Sequence, residues 1–496
     1  MHELFAALSR NVAARGGATA FTDDRASLTY ADLAARVGGL ARELETLPPV
    51  LGLLGPNGVD WVVAQLAAWL AGKIVVPLPL FFSPEQIRHI FRDAAISHLI
   101  CTGEAIAAAQ QLQVPFTVAG QMTGELMAPR QRAGQIIYTS GSTGHPKGVR
   151  HASGQLAWSA AALARACAAT GDDRHLSVLP LPLLLETIST IMVPILAGAR
   201  AHMDARIADS IGRGDVTGLA HAFERTKPTT SVLVPQLLAS WVAELVAAGS
   251  RAPRSVRFVA VGGAHIPPAL ALRAWRIGIP VHEGYGLSEC ASVVSVNRPD
   301  QRKAGTVGKP LSGLKVRIES GEIVVEGPSI MDGYLNDARP DGVWRTGDLG
   351  AIDRKGFVTV YGRKDNLLVT SSGRNVSPEW IETLLLGDPR VGHCLVAGAG
   401  RPQLCVFLVP SPPGEKWFAQ AEPCEIDALI ERCCREAPAY AVPRVHYVVC
   451  SDDLRRSGLM TENGRLRRAA LLRRYDAVLD ELYGSIPRHL ELEANS

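Results

Sequence analysis

The sequence predicts an α/β protein. A large N-terminal domain of mixed or parallel sheets with helices, carrying a β-rich subdomain, is expected ahead of a small α+β C-terminal domain. Three observations carry this expectation. The chain has 496 residues, too many for one compact core, so two or more domains are required. Up to Gly263, short apolar runs alternate with helical patterns, which implies a mostly parallel sheet faced by helices. After Pro299 the texture changes to short, glycine-punctuated strands, the mark of a β-rich unit.

The elements follow in order. Leu4, Phe5 and Leu8 open a helix, residues 20–22 read as a strand, and Asp23-Asp24 as a turn. Thr29 caps a helix over residues 30–45. Residues 50–54 and 74–78 are short buried strands around an apolar helix at 59–71. Ser83 caps the next helix with Pro84 at its first position, and 97–101 is again a strand. Residues 102–134 are weakly patterned and read as a connection. A buried strand at 135–138 and a helix at 154–169 come next. Residues 176–181, 231–235 and 256–263 complete the buried strands. The last ends in Gly262-Gly263, as expected where the C-terminal end of a strand meets a ligand. Residues 314–318, 322–326 and 357–361 form the β-rich part. From Asp365 a smaller unit holds strands at 391–397 and 405–410 and helices at 426–437 and 468–482. The expected domains are therefore 1–364 and 365–496.

Composition is that of an ordinary globular protein, 47% hydrophobic and 20% charged, and the net charge of +3 gives no reason to expect nucleic acid. Nine scattered cysteines without metal-like spacing suggest reduced thiols and a cytoplasmic location. Met1-His2-Glu3-Leu4 begins no signal peptide. The apolar stretches 59–80 and 178–199 are broken by charges and prolines before ~20 clean residues, so no transmembrane segment is expected.

Chemistry concentrates in Thr139-Ser140-Gly141-Ser142-Thr143-Gly144-His145-Pro146-Lys147. Glycines let the backbone approach a ligand, successive N–H groups form an anion-binding concavity, and Lys147 adds a positive charge suited to phosphate. The order is not that of the Walker loop. Gly284-Tyr285-Gly286-Leu287-Ser288-Glu289 offers a flat ring for a purine, a hydroxyl donor and a hard oxygen ligand suited to Mg²⁺. Read alone, it is equally a turn before an N-capped helix. Trp344-Arg345-Thr346-Gly347-Asp348-Leu349-Gly350 holds a carboxylate able to accept two hydrogen bonds, or is a plain β-turn. Tyr361-Gly362-Arg363-Lys364-Asp365 and Ser371-Ser372-Gly373-Arg374 follow.

These motifs, in this order, resemble the adenylate-forming superfamily of acyl- and aryl-CoA synthetases, adenylation domains and luciferases. The likeness covers most of residues 28–468. Gly262-Gly263-Ala264, Ser295-Val296-Asn297-Arg298-Pro299 and Gly305-Thr306-Val307-Gly308-Lys309-Pro310 look most like long-chain acyl-CoA synthetases, and Leu179-Pro180-Leu181 leading to Glu186 points the same way. The resemblance implies activation of a fatty or aryl carboxylate by ATP and Mg²⁺, then transfer to CoA. The phosphopantetheine of an acyl carrier protein is the alternative acceptor. It gives Thr139, Ser140, Gly141, Ser142, Thr143, Gly144 and Lys147 to the phosphates, and Gly284, Tyr285, Gly286 and Ser288 to AMP. Asp348 goes to the ribose, Arg363 lies near the nucleotide, and Glu289 holds Mg²⁺. Leu183, Gly263, Ala264, His265 and Gly284 fall in the acyl pocket. Asp365 becomes the hinge of a mobile C-terminal domain, and Gly373 and Arg374 reach the thiol tunnel. A monomer or homodimer is expected.

Two departures stand out. Leu183 occupies the place of a histidine that usually follows the Leu-Pro-Leu strand. Arg465, in Thr461-Glu462-Asn463-Gly464-Arg465, stands where relatives present a catalytic lysine, and the chain has no lysine after Lys416. Arginine keeps the charge but is planar and longer. Drift with function retained, a weakened first half-reaction, or a non-catalytic acyl-nucleotide binding protein are the readings this exchange opens, and retained or reduced activity is favoured over none.

Overall fold

A computed structural model describes residues 1–80, 82–139, 146–211, 217–264, 266–335, 337, 340–435, 437–450, 454, 457–460 and 466–484. The fold is mixed α/β, with a large N-terminal and a small C-terminal domain. Two sheets build the large domain. In a nine-stranded sheet, Arg174–Ser177, Thr230–Leu233, Phe258–Val261 and Val281–Tyr285 run parallel. In a seven-stranded sheet, Val50–Leu54, Ile74–Leu78, Leu99–Cys101 and Phe116–Val118 run parallel. Gly134–Thr139 joins them in parallel and then pairs antiparallel with Lys147–Ala152. Strands buried on both faces need near-continuous apolar runs, which is how these segments read.

The main core fills the space around the helices Tyr30–Leu44, Val59–Leu70 and Ser153–Ala166. Trp61, Trp69, Leu33, Leu40 and Leu156 lie in it, and the Trp69 indole N–H donates to Gly134 O at 3.1 Å. Thr29 forms a capping box with Asp32, and Ser83 forms one with Gln86. Such caps are each worth about 1 kcal/mol. The runs 59–80 and 178–199 are interior. Among the described residues no helix is long and apolar enough to cross a membrane.

Several elements differ from expectation. Residues 102–134 are not a bare connection, because they hold the helix Ile106–Gln111 and the edge strand Phe116–Val118. Val343–Ile352, unanticipated as a strand, lies in the four-stranded antiparallel sheet of the β-rich part, between Glu322–Glu326 and Val358–Arg363. The expected helix at 468–482 is two helices, Arg468–Arg474 and Asp476–Gly484, separated at Tyr475. The C-terminal domain is built on a three-stranded sheet of Val391–Ala397, Cys405–Pro410 and Val445–Val448.

Two interior features carry measurable energy. Gly39 sits inside the Tyr30–Leu44 helix, yet a Cβ there would lie 2.6 Å from Met122 O. The 122–125 segment is pressed against the helix, with Gly124 N–H bonded to Ala35 O at 2.8 Å. Glu186 is fully buried at the start of an uncommon π-helical turn, Thr187–Met192. Ser177 Oγ donates to its Oε1 at 2.5 Å and Leu179 N–H at 3.4 Å, but burial dominates and pushes the carboxyl up to about 7.

Gly39→Ala would gain about 1 kcal/mol from helix propensity alone. The blocked Cβ reverses the sign, and a net loss of roughly 1–2 kcal/mol is expected in urea unfolding. A more stable variant would show that the 122–125 segment is not packed there. For Glu186, the folded state keeps its proton while the unfolded state loses it. Stability therefore falls as pH rises from about 4.5 to about 7. Glu186→Gln should flatten this fall and exceed the wild type by roughly 2–3 kcal/mol at pH 8, with the two converging in acid. Parallel stability curves for the two proteins between pH 5 and pH 8 would refute the buried proton.

Candidate active site

A cavity of about 740 Å³ lies at the carboxyl ends of the parallel strands of the nine-stranded sheet, where ligands of open α/β sheets bind. Gly262, Gly263, Ala264, Gly284, Tyr285, Gly286 and Ser288 line it from that sheet, and Thr139 from the other. Gly286 admits no side chain, because a Cβ would collide with the Ser292 carbonyl oxygen. Backbone can thus approach a ligand closely here.

Tyr285, Asp348 and Arg363 meet at the rim. The Tyr285 hydroxyl donates to Asp348 Oδ2 at 2.5 Å, and Arg363 Nη1 donates to Asp348 Oδ1 at 3.1 Å and to Thr346 O at 2.8 Å. Burial, and next the Asp348 charge, push the Tyr285 hydroxyl far above its ordinary range, so it stays a donor. Gly347 between them has φ +71°, and a Cβ there would sit 2.8 Å from the Arg363 guanidinium. Only glycine gives that approach without strain.

A second group forms below the phosphate segment. Thr139 pairs directly with Lys147 across an antiparallel ladder. Lys147 Nζ lies 5.5 Å from the centre of the Tyr334 ring, and the Tyr334 hydroxyl donates to Glu289 Oε1 at 2.8 Å. Tyr334 arrives on the two-residue strand Gly333–Tyr334, paired with Lys147–Ala152. His151, on the latter strand, donates from Nε2 to Ser288 O at 2.7 Å, and burial lowers its pKa to about 4, so it is neutral. Glu289 is one hard carboxylate near a lysine. That donor set fits an Mg²⁺ whose other ligands are phosphate oxygens and water. Ser140, Gly141, Ser142, Thr143 and Gly144 lie outside the described residues, as do His265 and Arg465.

Leu183 lines the cavity and is 37% exposed. The C-terminal domain closes the same cavity with Leu386, Val391, Gly392 and His393. Gly373 and Arg374 do not line it. Gly373, at φ +73°, sits in a turn closed by Thr370, and the Arg374 guanidinium stacks 5.4 Å from the Tyr440 ring centre. Asp365 is exposed, in the short turn Lys364–Asn366, with its carboxylate 3.7 Å from Arg363 Nη2. Tyr334 and His151 were not singled out from the sequence. Their only signal is proximity in chain to Lys147 and to the β-rich segment, which is no pattern by itself.

The chain matches the AMP-binding enzyme family over residues 8–335 and the AMP-binding enzyme C-terminal domain over residues 365–486. It is 30% identical over 454 residues to the 2-succinylbenzoate–CoA ligase of Bacillus subtilis, covering 85% of this chain and 89% of that protein. It is 29% identical to the indoleacetate–CoA ligase of Aromatoleum aromaticum, covering 80% of this chain and 85% of that protein. The o-succinylbenzoate coenzyme A synthetase of Bacillus subtilis, solved with ATP and a magnesium ion, superposes with a TM-score of 0.78 at 25% identity, over 93% of this chain and 98% of that one. In sequence and in fold, the chain belongs to the AMP-binding enzyme family, within the adenylate-forming superfamily.

Proposed function

We propose that this chain is an AMP-forming acid–thiol ligase that joins a carboxylic acid to CoA at the expense of ATP. The observation that carries this reading is the Tyr285–Asp348–Arg363 cluster at the rim of a largely apolar cavity, with Lys147 and Glu289 grouped through Tyr334. Both curated relatives named above are CoA ligases, which supports the same chemistry here.

In the first half-reaction a carboxylate oxygen attacks the α-phosphorus of ATP. The bond to the bridging oxygen breaks, and pyrophosphate leaves. Little covalent work falls to the protein, which positions the reactants and offsets charge. Asp348 accepts the ribose hydroxyls, and Arg363 holds the Asp348 side chain in place. The Tyr285 ring supplies a face for adenine. Thr139 and Lys147 meet the phosphates together with the loop between them. Glu289 would hold Mg²⁺, which would supply charge to offset the phosphates. Arg465 is assigned to bridge the carboxylate and the adenylate oxygens. In the second half-reaction a thiolate attacks the acyl carbonyl, the carbonyl–phosphate oxygen bond breaks, and AMP leaves. Rotation about Asp365 would withdraw Arg465 and bring Gly373 and Arg374 to the site, gating the second step.

Pyrophosphate release from ATP and Mg²⁺ should require a carboxylate and no thiol. Asp348→Ala should raise the KM for ATP roughly 10- to 100-fold, the loss of a charged hydrogen-bond acceptor. Arg465→Ala should slow release by roughly 100-fold with ATP binding intact, and Arg465→Lys should equal or exceed the wild type. ATP binding without release of pyrophosphate, across fatty and aryl acids and in both the wild type and Arg465→Lys, would sink the ligase reading.

A further inference from the structure

We infer that the acid is an unbranched aliphatic carboxylate of medium length, a reading that rests on the ligase assignment above. The cavity does not stop at the strand tips. Directly paired residues of neighbouring strands point to the same face of a sheet, and every second residue along a strand returns to that face. Val232 pairs with Ala260, while Thr230 pairs with both Phe258 and His175. All five line the cavity, as do Val234 and Gly262 just past the paired ends. The void therefore runs along the strands from their carboxyl ends to their amino ends, with Ser231, Leu233 and Val261 also reaching it. From Val234 to Thr230 that is ~13 Å of extended strand.

Residue size keeps the slot open. Gly284, Gly262 and Ala260 put little bulk on the floor, and Ala260 is only half-buried in the middle of a central strand. Its neighbours Val259 and Val261, on the opposite face, are 0% and 1% exposed. Leu163, Cys167, Val193 and Pro194 form the facing wall. Among the described residues, no lysine or arginine lines the cavity, so a second carboxylate would find no permanent counter-charge. His175 offers none either, because burial lowers its pKa to about 4. An acid of the kind named for the succinylbenzoate ligases is thereby disfavoured.

The inner end is polar. His175 Nδ1 meets Thr230 Oγ1 at 3.0 Å, and Asp173 is ion-paired with Arg257, whose Nε donates to Oδ1 at 2.8 Å. A terminal methyl gains nothing by displacing these bonds, so the chain should end above them. With C–C bonds of ~1.5 Å, the slot takes a zigzag of roughly ten carbons.

The test is pyrophosphate release by the full chain with ATP·Mg²⁺ and straight-chain acids from butanoate to octadecanoate, plus benzoate and phenylacetate. The expected kcat/KM rises about fourfold per methylene and peaks between octanoate and tetradecanoate. Ala260→Phe should plug the slot midway and move the optimum to hexanoate or shorter, and turnover of the short acid shows that the variant folds. If it does not fold, Val232→Phe on the adjacent strand places a plug in the same row. A wild-type optimum at butanoate, at an aryl acid, or at hexadecanoate or longer overturns the inference and leaves the ligase reading standing. An optimum unmoved by a folded plug variant also overturns it. No release with any acid removes the ligase reading itself, and this inference with it.

Discussion

Asp348 is a carboxylate only 9% exposed, and such a group needs donors on its oxygens or it costs the fold several kcal/mol. The need is met from two directions. Tyr285, which ends a parallel strand of the nine-stranded sheet, donates to Oδ2, and Arg363, which ends the last strand of the antiparallel sheet, donates to Oδ1, while Thr346 Oγ1 fixes the backbone by accepting the Asp348 N–H at 3.0 Å. One side chain thus ties together two sheets. The geometry of the rim follows from that requirement, including the glycine at 347 that lets the guanidinium in.

The cavity follows from a different constraint, the two-residue period of a strand. Val259 and Val261 send their bulk to a core around Trp241 and Phe223, whose rings stack 3.8 Å apart. Ala260 and Gly262 on the other face leave space. The space beside Ala260 and Gly262 and the close packing around Val259 and Val261 are written in alternate residues of one strand.

Most elements were legible because their causes are local. Thr29 and Ser83 announce their helices, and the buried parallel strands are short apolar runs between breakers. The strand Val343–Ile352 was hidden because Arg345, Thr346, Gly347 and Asp348 interrupt its alternation. Polar residues and a glycine that build the Asp348 cluster and its surface ion pairs overwrite the pattern that would reveal the element. Tyr334 was invisible for another reason, since only pairing with Lys147–Ala152 carries it to Glu289. The seat of Leu386, Val391, Gly392 and His393 over the cavity reflects how the C-terminal domain docks, which no local spacing encodes. The glycines at 38 and 39 likewise acquire meaning only when the 122–125 segment closes on them.

Arg363 touches both Asp348 and Asp365, two residues apart in the chain from the proposed pivot. If Asp348 holds the ribose and Asp365 is the pivot, as proposed above, this contact makes nucleotide occupancy and domain orientation terms in one thermodynamic cycle. If a bound ribose alters the hold of Asp348 on Arg363, it shifts the balance between the orientations of the C-terminal domain. Reciprocity then demands that each orientation have its own affinity for ATP and for AMP, by the same factor. Product escape and the order of the two half-reactions would share a single free energy, stored in one guanidinium between two carboxylates.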